Sequence, residues 1–266
     1  MKTKTLAIVG CGGLASIVVH ASDRGLLPDF KIIGTYSRTF EKAQAFANHI
    51  QHSAEGNSCT PCHSLEQLLE LKPDYIVETA SPDSLKELAL PALKNGTSIV
   101  TISVGGLADP VFYELVKKTA LEYGTRVHIA SGATGGFDIL RTVSLMEESV
   151  ATFESTKSPR AMRYSPVYDP IIEDQQHTVF EGNALEAIAL FPRQVNVSVA
   201  SALASTGPEK MKVSITTIPG FVGDTHRTEI KSEQIHAVIS VYSQTAQIAG
   251  WSVVNTLRNI TSPIAF

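Results

Sequence analysis

The sequence predicts an α/β fold with a doubly wound parallel sheet, followed by a second, smaller α+β domain. Over the first 130 residues, short apolar segments alternate with helix-like segments, which is typical of strands and helices in a parallel sheet. A glycine-rich turn follows the first apolar segment. Beyond residue 130, the pattern changes to segments in which apolar and polar residues alternate, as in antiparallel strands with one solvated face. A chain of 266 residues is long enough for two such domains.

The composition indicates a globular protein and excludes several functional classes. The chain is 43% hydrophobic and 18% charged, so it can fill a core and is not disordered. Its net charge of −4, without a dense basic run, argues against nucleic acid as the main partner. No apolar stretch reaches the ~20 residues of a membrane helix, so no membrane partner is expected.

The predicted location is the cytoplasm. The apolar run after Met1–Lys4 enters a glycine turn without a cleavage site, so no secretory signal is expected. The three cysteines are too few for a disulfide framework and are expected to be reduced.

The first predicted domain alternates strands and helices in a regular order. Its apolar runs predict strands that are buried on both faces, and the intervening amphipathic segments predict helices. Gly96 follows one helix as a favoured C-terminal cap. The predicted strands are 6–9, 30–36, 75–79, 98–102 and 125–129, and the predicted helices are 16–20, 39–49, 65–71, 82–95 and 110–123, with a loop or short edge strand over 51–63.

The second predicted domain begins near residue 130. Alternating apolar and polar residues predict antiparallel strands with one solvated face. The predicted strands are 151–156, 211–217 and 235–241, and the predicted helices are 139–150, 182–191 and 247–258.

Gly10, Gly12 and Ala15 form a dinucleotide-binding fingerprint between the first strand and the first helix. The first glycine permits a tight turn, the second admits a pyrophosphate, and the small third residue allows close helix–strand packing. This context predicts a Rossmann-type domain in which Gly10, Gly12, Gly13, Leu14 and Ala15 bind the cofactor.

The end of the second predicted strand favours NADP over NAD. An NAD site usually has an acidic residue here to bind the ribose 2′-hydroxyl. This chain instead has Tyr36-Ser37-Arg38-Thr39, in which Ser37 and Arg38 would attract a 2′-phosphate. We therefore predict NADP as the preferred cofactor, with NAD as a possible second one.

Cys59 and Cys62, followed by His63, match a haem-attachment pattern and half of a zinc site. Covalent haem would require export, and a single cysteine pair inside the nucleotide domain is weak support for zinc. The favoured interpretation is a surface loop with reduced thiols and no metal.

Two glycine-rich segments, Gly105-Gly106 and Gly132–Gly136, lie where predicted parallel strands end. Ligands bind at that edge of such a sheet. Ser103, Ser131 and Thr134 are therefore candidates for hydrogen bonds to a cofactor or substrate. Among the histidines, His226 lies in a segment interpreted as a polar loop before a strand, and His236 lies in an alternating strand.

Five segments together resemble the L-aspartate dehydrogenase family. In the order of the chain, these segments are Val77–Pro82, Ser103–Asp109, Ser131–Asp138, Phe180–Ala184 and Phe191–Val197. The resemblance implies a dinucleotide-binding domain at 1–130, a catalytic and oligomerisation domain at 131–245, and a last helix at 246–266 that packs on the first domain. It also implies NAD(P)-dependent oxidative deamination of aspartate, or the reverse reductive amination, in a homo-oligomer.

The resemblance assigns roles to individual residues. His226 matches the family's catalytic histidine, and Ala133 and Asn196 match positions that contact the nicotinamide end of the cofactor. The matched segment Val77–Pro82 adds Ala80 and Ser81 to the expected cofactor-binding residues. The substrate candidates, assigned by position, are Ser131, Thr134, Lys157 and Arg193.

The chain departs from the family before its last helix. Val241–Ala246 stands where the family usually has an Asn-Pro-Lys/Arg-Thr-Ser segment, and Gln194 stands where asparagine is usual. Two alternatives therefore stay open at this point. One is a related reductase or dehydrogenase that acts on another amine, imine or carbonyl, and the other is a non-catalytic NADP-binding regulatory protein.

Overall fold

The computed structural model describes residues 3–53, 58–192 and 195–266. The chain divides into two compact units. The first comprises Met1–Ala130 and Ala249–Phe266, and the second comprises Ser131–Ile248.

The first unit contains a six-stranded sheet in which the paired strands are all parallel. The strand order β3-β2-β1-β4-β5-β6 reverses direction between β1 and β4, which makes the sheet doubly wound. Its strands are β1 (Lys4–Val9), β2 (Phe30–Tyr36), β3 (Thr60–Cys62), β4 (Tyr75–Glu78), β5 (Ser98–Thr101) and β6 (Val127–Ile129). Its first five helices are α1 (Gly13–Asp23), α2 (Phe40–Ser53), α3 (Leu65–Glu70), α4 (Pro82–Lys94) and α5 (Pro110–Glu122).

Local sequence explains why several of these helices begin where they do. Ser64, Ser81 and Asp109 each accept a backbone hydrogen bond from the first turn of the helix that follows. These side chains satisfy donors that the helix itself leaves unpaired. Pro82 and Pro110 then occupy the first helical position, where a missing N–H costs nothing.

The second unit contains a mixed five-stranded sheet of order β11-β10-β7-β9-β8. Its elements are α6 (Phe137–Met146), β7 (Val150–Lys157), β8 (His177–Asn183), α7 (Ala184–Leu190), α8 (Asn196–Leu203), β9 (Lys212–Thr217), β10 (Asp224–Lys231) and β11 (His236–Ser243). The expectation of antiparallel strands is correct for three of the neighbouring pairs. It is wrong for β7 and β9, which run parallel because the chain between them crosses over through β8, α7 and α8.

The two faces of this second sheet differ in burial. On β7, Ala151, Phe153, Ser155 and Lys157 are all buried, while the residues between them are at least partly accessible. On β10, His226, Thr228 and Ile230 are buried in the same alternating way, and the residues between them are partly accessible. We call the buried side the inner face of the sheet and the other side its outer face, since successive side chains in a strand point to opposite faces.

The last helix, α9 (Gln247–Thr261), contributes Val253, Val254 and Leu257 to the hydrophobic core of the first unit. That core also includes Leu6 of β1 and Val18 of α1. Gly250 lies against α1, because a Cβ atom at this position would come within 2.6 Å of Ile17 Cδ1. A Cβ atom would also lie 3.1 Å from the backbone oxygen of Leu14, so the glycine lets these two helices approach closely.

Besides the parallel pair β7–β9, the structure corrects further sequence-based expectations. Residues 177–183 form β8, which was not predicted, and the helix predicted over 182–191 begins at Ala184. The helix predicted over 139–150 ends at Met146, and Val150 instead begins β7. Residues 224–231 form β10 rather than a loop, and 196–203 form a helix that was not predicted. Cys59 and Cys62 are 1% exposed and do not lie in a surface loop, because their side chains are packed inside the first unit.

Candidate active site

The glycine turn after β1 is shaped for the close approach of a ligand. Gly10 has a φ of +91°, and a Cβ atom there would lie 2.7 Å from the backbone nitrogen of Ala80. The turn is thus packed against the β4–α4 loop, and only glycine fits it. A Cβ atom at Gly12 or Gly13 would meet nothing within 4 Å, so space is open at the N-terminus of α1.

The end of β2 lies beside this turn, since the N–H of Gly10 donates to the carbonyl oxygen of Tyr36 over 2.9 Å. Ser37 is partly accessible and Arg38 is exposed. Within residues 3–53, 58–192 and 195–266, Arg38 has no ion-pair partner. The fingerprint residues and the two candidate 2′-phosphate ligands are therefore brought together at one edge of the sheet.

Glu78, at the end of β4, is a completely buried carboxylate that was not expected to matter. It accepts hydrogen bonds from the backbone N–H groups of Ala80 and Ser81 at 2.8 and 3.1 Å. The hydroxyls of Thr101 and Ser103 donate to it at 2.6 and 3.1 Å. Burial raises the pKa of Glu78, while these four hydrogen bonds act in the opposite direction.

The effect of Glu78 is to join the loops that follow two neighbouring strands, β4 and β5. Ala80 and Ser81, both predicted to bind the cofactor, are held through their backbone rather than through their side chains. The sequence signal was a single acidic residue at the end of the otherwise apolar segment Tyr75–Glu78, because an ionisable group in a buried strand needs dedicated partners.

The turn Ser131–Gly136 opens the second unit and packs on two of its elements. Gly132 and Gly136 have φ values of +66° and +68°. A Cβ atom at Gly132 would lie 3.2 Å from Val197 in the first turn of α8, and one at Gly136 would lie 2.6 Å from Ile239 of β11. Ala133 therefore lies in a turn that contacts the start of α8, which is where Asn196 is located.

Thr134, a substrate candidate in this turn, is 5% exposed. Its hydroxyl has no hydrogen-bond partner among the residues that the structure describes. Because a buried hydroxyl without a partner is costly, this atom is available to a bound ligand. Ser131 is partly accessible in the same turn.

His226 lies on the inner face of β10 and is 2% exposed. Its Nδ1 is 3.2 Å from the hydroxyl oxygen of Ser155, directly opposite on β7, and its ring is stacked at 5.6 Å from that of Phe153. Burial, and then the charge of Lys157, lower the pKa of His226 to about 4, against a smaller raising effect of Asp224. The imidazole is therefore neutral at pH 7 and able to accept a proton.

Lys157 is an almost fully buried cation on the same inner face, two residues after Ser155 on β7. Its ammonium group is 3.2 Å from Oδ1 of Asp224, which pairs with it across β7 and β10. The lysine side chain is 5% exposed and the aspartate side chain 39% exposed. Two sequence-predicted residues, His226 and Lys157, thus lie on one face together with Ser155 and Asp224, which sequence reasoning missed.

The remaining predictions have mixed outcomes. Arg193, a substrate candidate, and Gln194 lie outside the described residues. The three cysteines are free and buried, and burial raises the pKa of Cys11 and of Cys59 to about 12. His236 is exposed and contacts Glu229 on the outer face.

In the described ranges, no cluster of three or more His, Cys, Asp or Glu side chains could hold a metal ion, and no helix is long and apolar enough to cross a membrane.

Comparison with known proteins covers both units. A family model described as "Aspartate dehydrogenase, C-terminal" matches residues 138–260, and one described as "Homoserine dehydrogenase, NAD binding domain" matches residues 10–130. The L-aspartate dehydrogenase of Acinetobacter baylyi is 30% identical over 272 residues, covering 98% of this chain and 99% of that protein. The enzyme of that name from Methanococcus maripaludis is 29% identical and covers 97% of each chain.

A solved structure agrees with these sequence relationships. The crystal structure of aspartate dehydrogenase from Thermotoga maritima superimposes with a TM-score of 0.76 at 28% sequence identity, over 99% of both chains. The doubly wound sheet with its glycine turn and the second, mixed sheet are those of an NAD(P)-dependent amino-acid dehydrogenase. The chain belongs to the L-aspartate dehydrogenase family.

Proposed function

We propose that this protein is an L-aspartate dehydrogenase in which His226 is the acid–base group. The observation that carries the proposal is a buried, neutral imidazole that lies beside a buried lysine on one face of the second sheet. The reaction removes hydride from the α-carbon of aspartate and yields iminoaspartate, which hydrolyses to oxaloacetate and ammonia. The reverse direction is reductive amination of oxaloacetate.

The proposed cofactor site is the edge of the first sheet at the glycine turn. Gly10, Gly12, Gly13, Leu14 and Ala15 would surround the pyrophosphate, where the α1 N-terminus offers unpaired N–H groups and has no acidic residue in its first turn. Ser37 and Arg38 favour NADP, since their hydroxyl and guanidinium groups would attract a 2′-phosphate. Ala80, Ser81, Ala133 and Asn196 complete the proposed set.

The chemistry explains why a histidine is needed. Hydride can leave the α-carbon only when the nitrogen can donate its lone pair, so the ammonium group of aspartate must first lose a proton. A proton on Nδ1 of His226 that points to Ser155 Oγ leaves Nε2 free to accept this proton. In reductive amination, the same atom returns the proton.

The substrate carboxylates need cationic and hydroxyl partners. Lys157 offers a nearly buried ammonium group on the same face as His226. The hydroxyl of Thr134 has no partner among the described residues, and Ser131 lies in the same turn. Arg193 remains a fourth candidate by its position in the sequence alone.

A histidine substitution tests this proposal. His226→Ala is expected to reduce turnover of aspartate with NADP by at least a hundredfold, since general acid–base groups contribute roughly 10²–10⁴-fold. Nucleotide affinity, measured by titration calorimetry, should change less than threefold. His236→Ala is the matched control, because His236 is exposed on the outer face of the same sheet. Turnover that survives in His226→Ala would refute the assignment.

The cofactor assignment has its own test. Arg38→Ala should weaken NADP binding by at least tenfold and NAD binding by less than twofold, since only NADP carries the 2′-phosphate. Lys42→Ala, an exposed cation on the following helix, is the matched control. Equal losses for both nucleotides would contradict this role of Arg38.

We also propose that the protein is a cytoplasmic homodimer or higher homo-oligomer. Val238 and Tyr242, on the edge strand β11, are 46% and 58% exposed, and a second copy of the chain would cover them. Light scattering coupled to size-exclusion chromatography should give a mass at least twice the 28.6 kDa of one chain. A monomer at micromolar concentration would refute this proposal.

A further inference from the structure

We propose that Asp224 binds the nitrogen of the substrate and holds it beside His226. In the oxidative direction this nitrogen is the ammonium group of the amino acid, and in the reductive direction it is the ammonium ion that supplies the new amine. The inference rests on the proposed function, and it adds a residue that neither the fingerprint nor the family resemblance assigns.

The strand register places Asp224 next to the proposed base. Asp224 and His226 are two residues apart on β10, so their side chains share the inner face at a spacing of roughly 6–7 Å. Across β7, Lys157 lies directly opposite Asp224 and Ser155 lies directly opposite His226. Four polar side chains therefore form a compact group on one face, and we call this group the polar quartet.

Asp224 differs from the other three members of the polar quartet in its exposure. Its side chain is 39% exposed, whereas Lys157 and His226 are almost fully buried. The lysine contacts Oδ1 of Asp224 over 3.2 Å. A ligand that arrives from solvent thus meets the carboxylate first.

The charges of the quartet match a zwitterion. An ammonium group is attracted to the Asp224 carboxylate, and a substrate carboxylate is attracted to the Lys157 ammonium group. Ser155 is uncharged, and the groups on β11 that face this part of β10, Val241 and Ser243, do not titrate. Asp224 is the negative charge in this group and is suited to bind a cationic nitrogen.

This position also suits the proton transfer. An ammonium group held by Asp224 gives one proton to Nε2 of His226, and the freed lone pair forms the C=N bond as hydride leaves the α-carbon for the nicotinamide. In reverse, bound ammonium gives a proton to His226, and the resulting ammonia attacks the carbonyl carbon. Water then leaves, His226 returns its proton to the nitrogen, and hydride from the reduced nicotinamide cofactor reduces the C=N bond. The Asp224 carboxylate also raises the pKa of His226, which makes the imidazole a better base.

The kinetic test uses the reductive reaction with ammonium chloride, oxaloacetate and NADPH. Asp224→Asn should raise the KM for ammonium at least tenfold and change the KM for oxaloacetate less than threefold. Asp224→Glu should recover part of the loss, because it retains the charge. Glu229→Gln, on the outer face of the same strand, should behave as wild type. A KM effect on oxaloacetate alone would overturn the inference, since Asp224 would then act only on Lys157.

A binding test separates this inference from the proposed function. Ammonium chloride should shift the ¹⁵N resonances of the His226 imidazole in the wild-type protein and not in Asp224→Asn, with tetramethylammonium chloride as the control salt. The absence of a specific shift in the wild type would overturn the inference. A shift without any turnover of oxaloacetate would support the ammonium site and refute the proposed reaction.

Discussion

At the scale of single residues, the environment of His226 decides what the site can do. A histidine in water titrates near 6.5, but burial and the charge of Lys157 bring the pKa of His226 to about 4. The imidazole is thus kept in its basic form throughout the neutral range. Binding of an anionic substrate beside Lys157 would raise this pKa, so affinity for the substrate and basicity are linked.

The pKa of His226 should depend on the charge of its neighbour Lys157. Lys157→Met removes a positive charge that disfavours the imidazolium, so the pKa should rise towards 6.5. The pKa can be followed by NMR titration of the imidazole resonances. Lys212→Met, an exposed lysine on the neighbouring strand β9, is the control and should leave the value unchanged. A lower pKa in Lys157→Met would contradict the stated cause.

The lowered pKa of His226 also makes the stability of the folded protein depend on pH. The pKa of His226 is lower in the folded protein, so the unfolded chain binds more protons between pH 6.5 and about 4. The contribution of His226 to the free energy of unfolding is therefore present above pH 6.5 and is lost as the pH falls through this window. The wild type should lose more stability than His226→Gln over this interval in urea titrations. Equal losses would mean that the imidazole is not desolvated.

At the scale of elements, the sequence predicted the first unit better than the second. Strands such as β1 and β4 are buried on both faces, so each appears as an unbroken apolar run that ends at a distinct turn. Strand β10 has no such run, because its buried face carries His226 and Thr228 in addition to Ile230. The polar residues on its inner face removed the apolar alternation, and the strand was interpreted as a loop.

The difference between local sequence patterns and contacts between distant residues explains which candidate site residues the sequence could identify. The glycine fingerprint depends on local spacing, and the candidate residues of the turn Ser131–Gly136 follow from the chain order. Ser155 joins the polar quartet only through strand register, which places it opposite His226, 71 positions away in the chain. The same register brings Asp224 and Lys157 together. Glu78 likewise acts on residues of two loops, and no local pattern identifies such partners.

The tight packing of the glycine turn after β1 predicts how alanine substitutions there affect stability. Gly10→Ala should destabilise the protein by at least ~1–2 kcal/mol, the cost of a left-handed conformation, and by more because its Cβ atom would collide with Ala80. Gly13→Ala should be tolerated, since a Cβ atom there meets nothing within 4 Å. Thermal unfolding of the two variants provides the comparison. Equal stability would show that the turn is not constrained as described.

At the scale of the whole molecule, the chain forms two units and returns to the first one at its end. Leu257 of α9 is fully buried in the core that contains β1 and α1, although more than 200 positions separate them in the chain. Leu257→Ala should therefore lower the free energy of unfolding by about 2–5 kcal/mol. Asn255→Ala, an exposed change on the same helix, should have little effect in urea titrations. A small effect of Leu257→Ala would contradict this packing.

The most direct test of the central claim is the absorbance of NADPH in the presence of the purified protein, oxaloacetate and ammonium chloride. The protein is expected to oxidise NADPH only when both ammonium and oxaloacetate are present, and to reduce NADP with L-aspartate in the reverse assay. Nucleotide binding without turnover of these substrates would contradict the assignment of aspartate as the substrate.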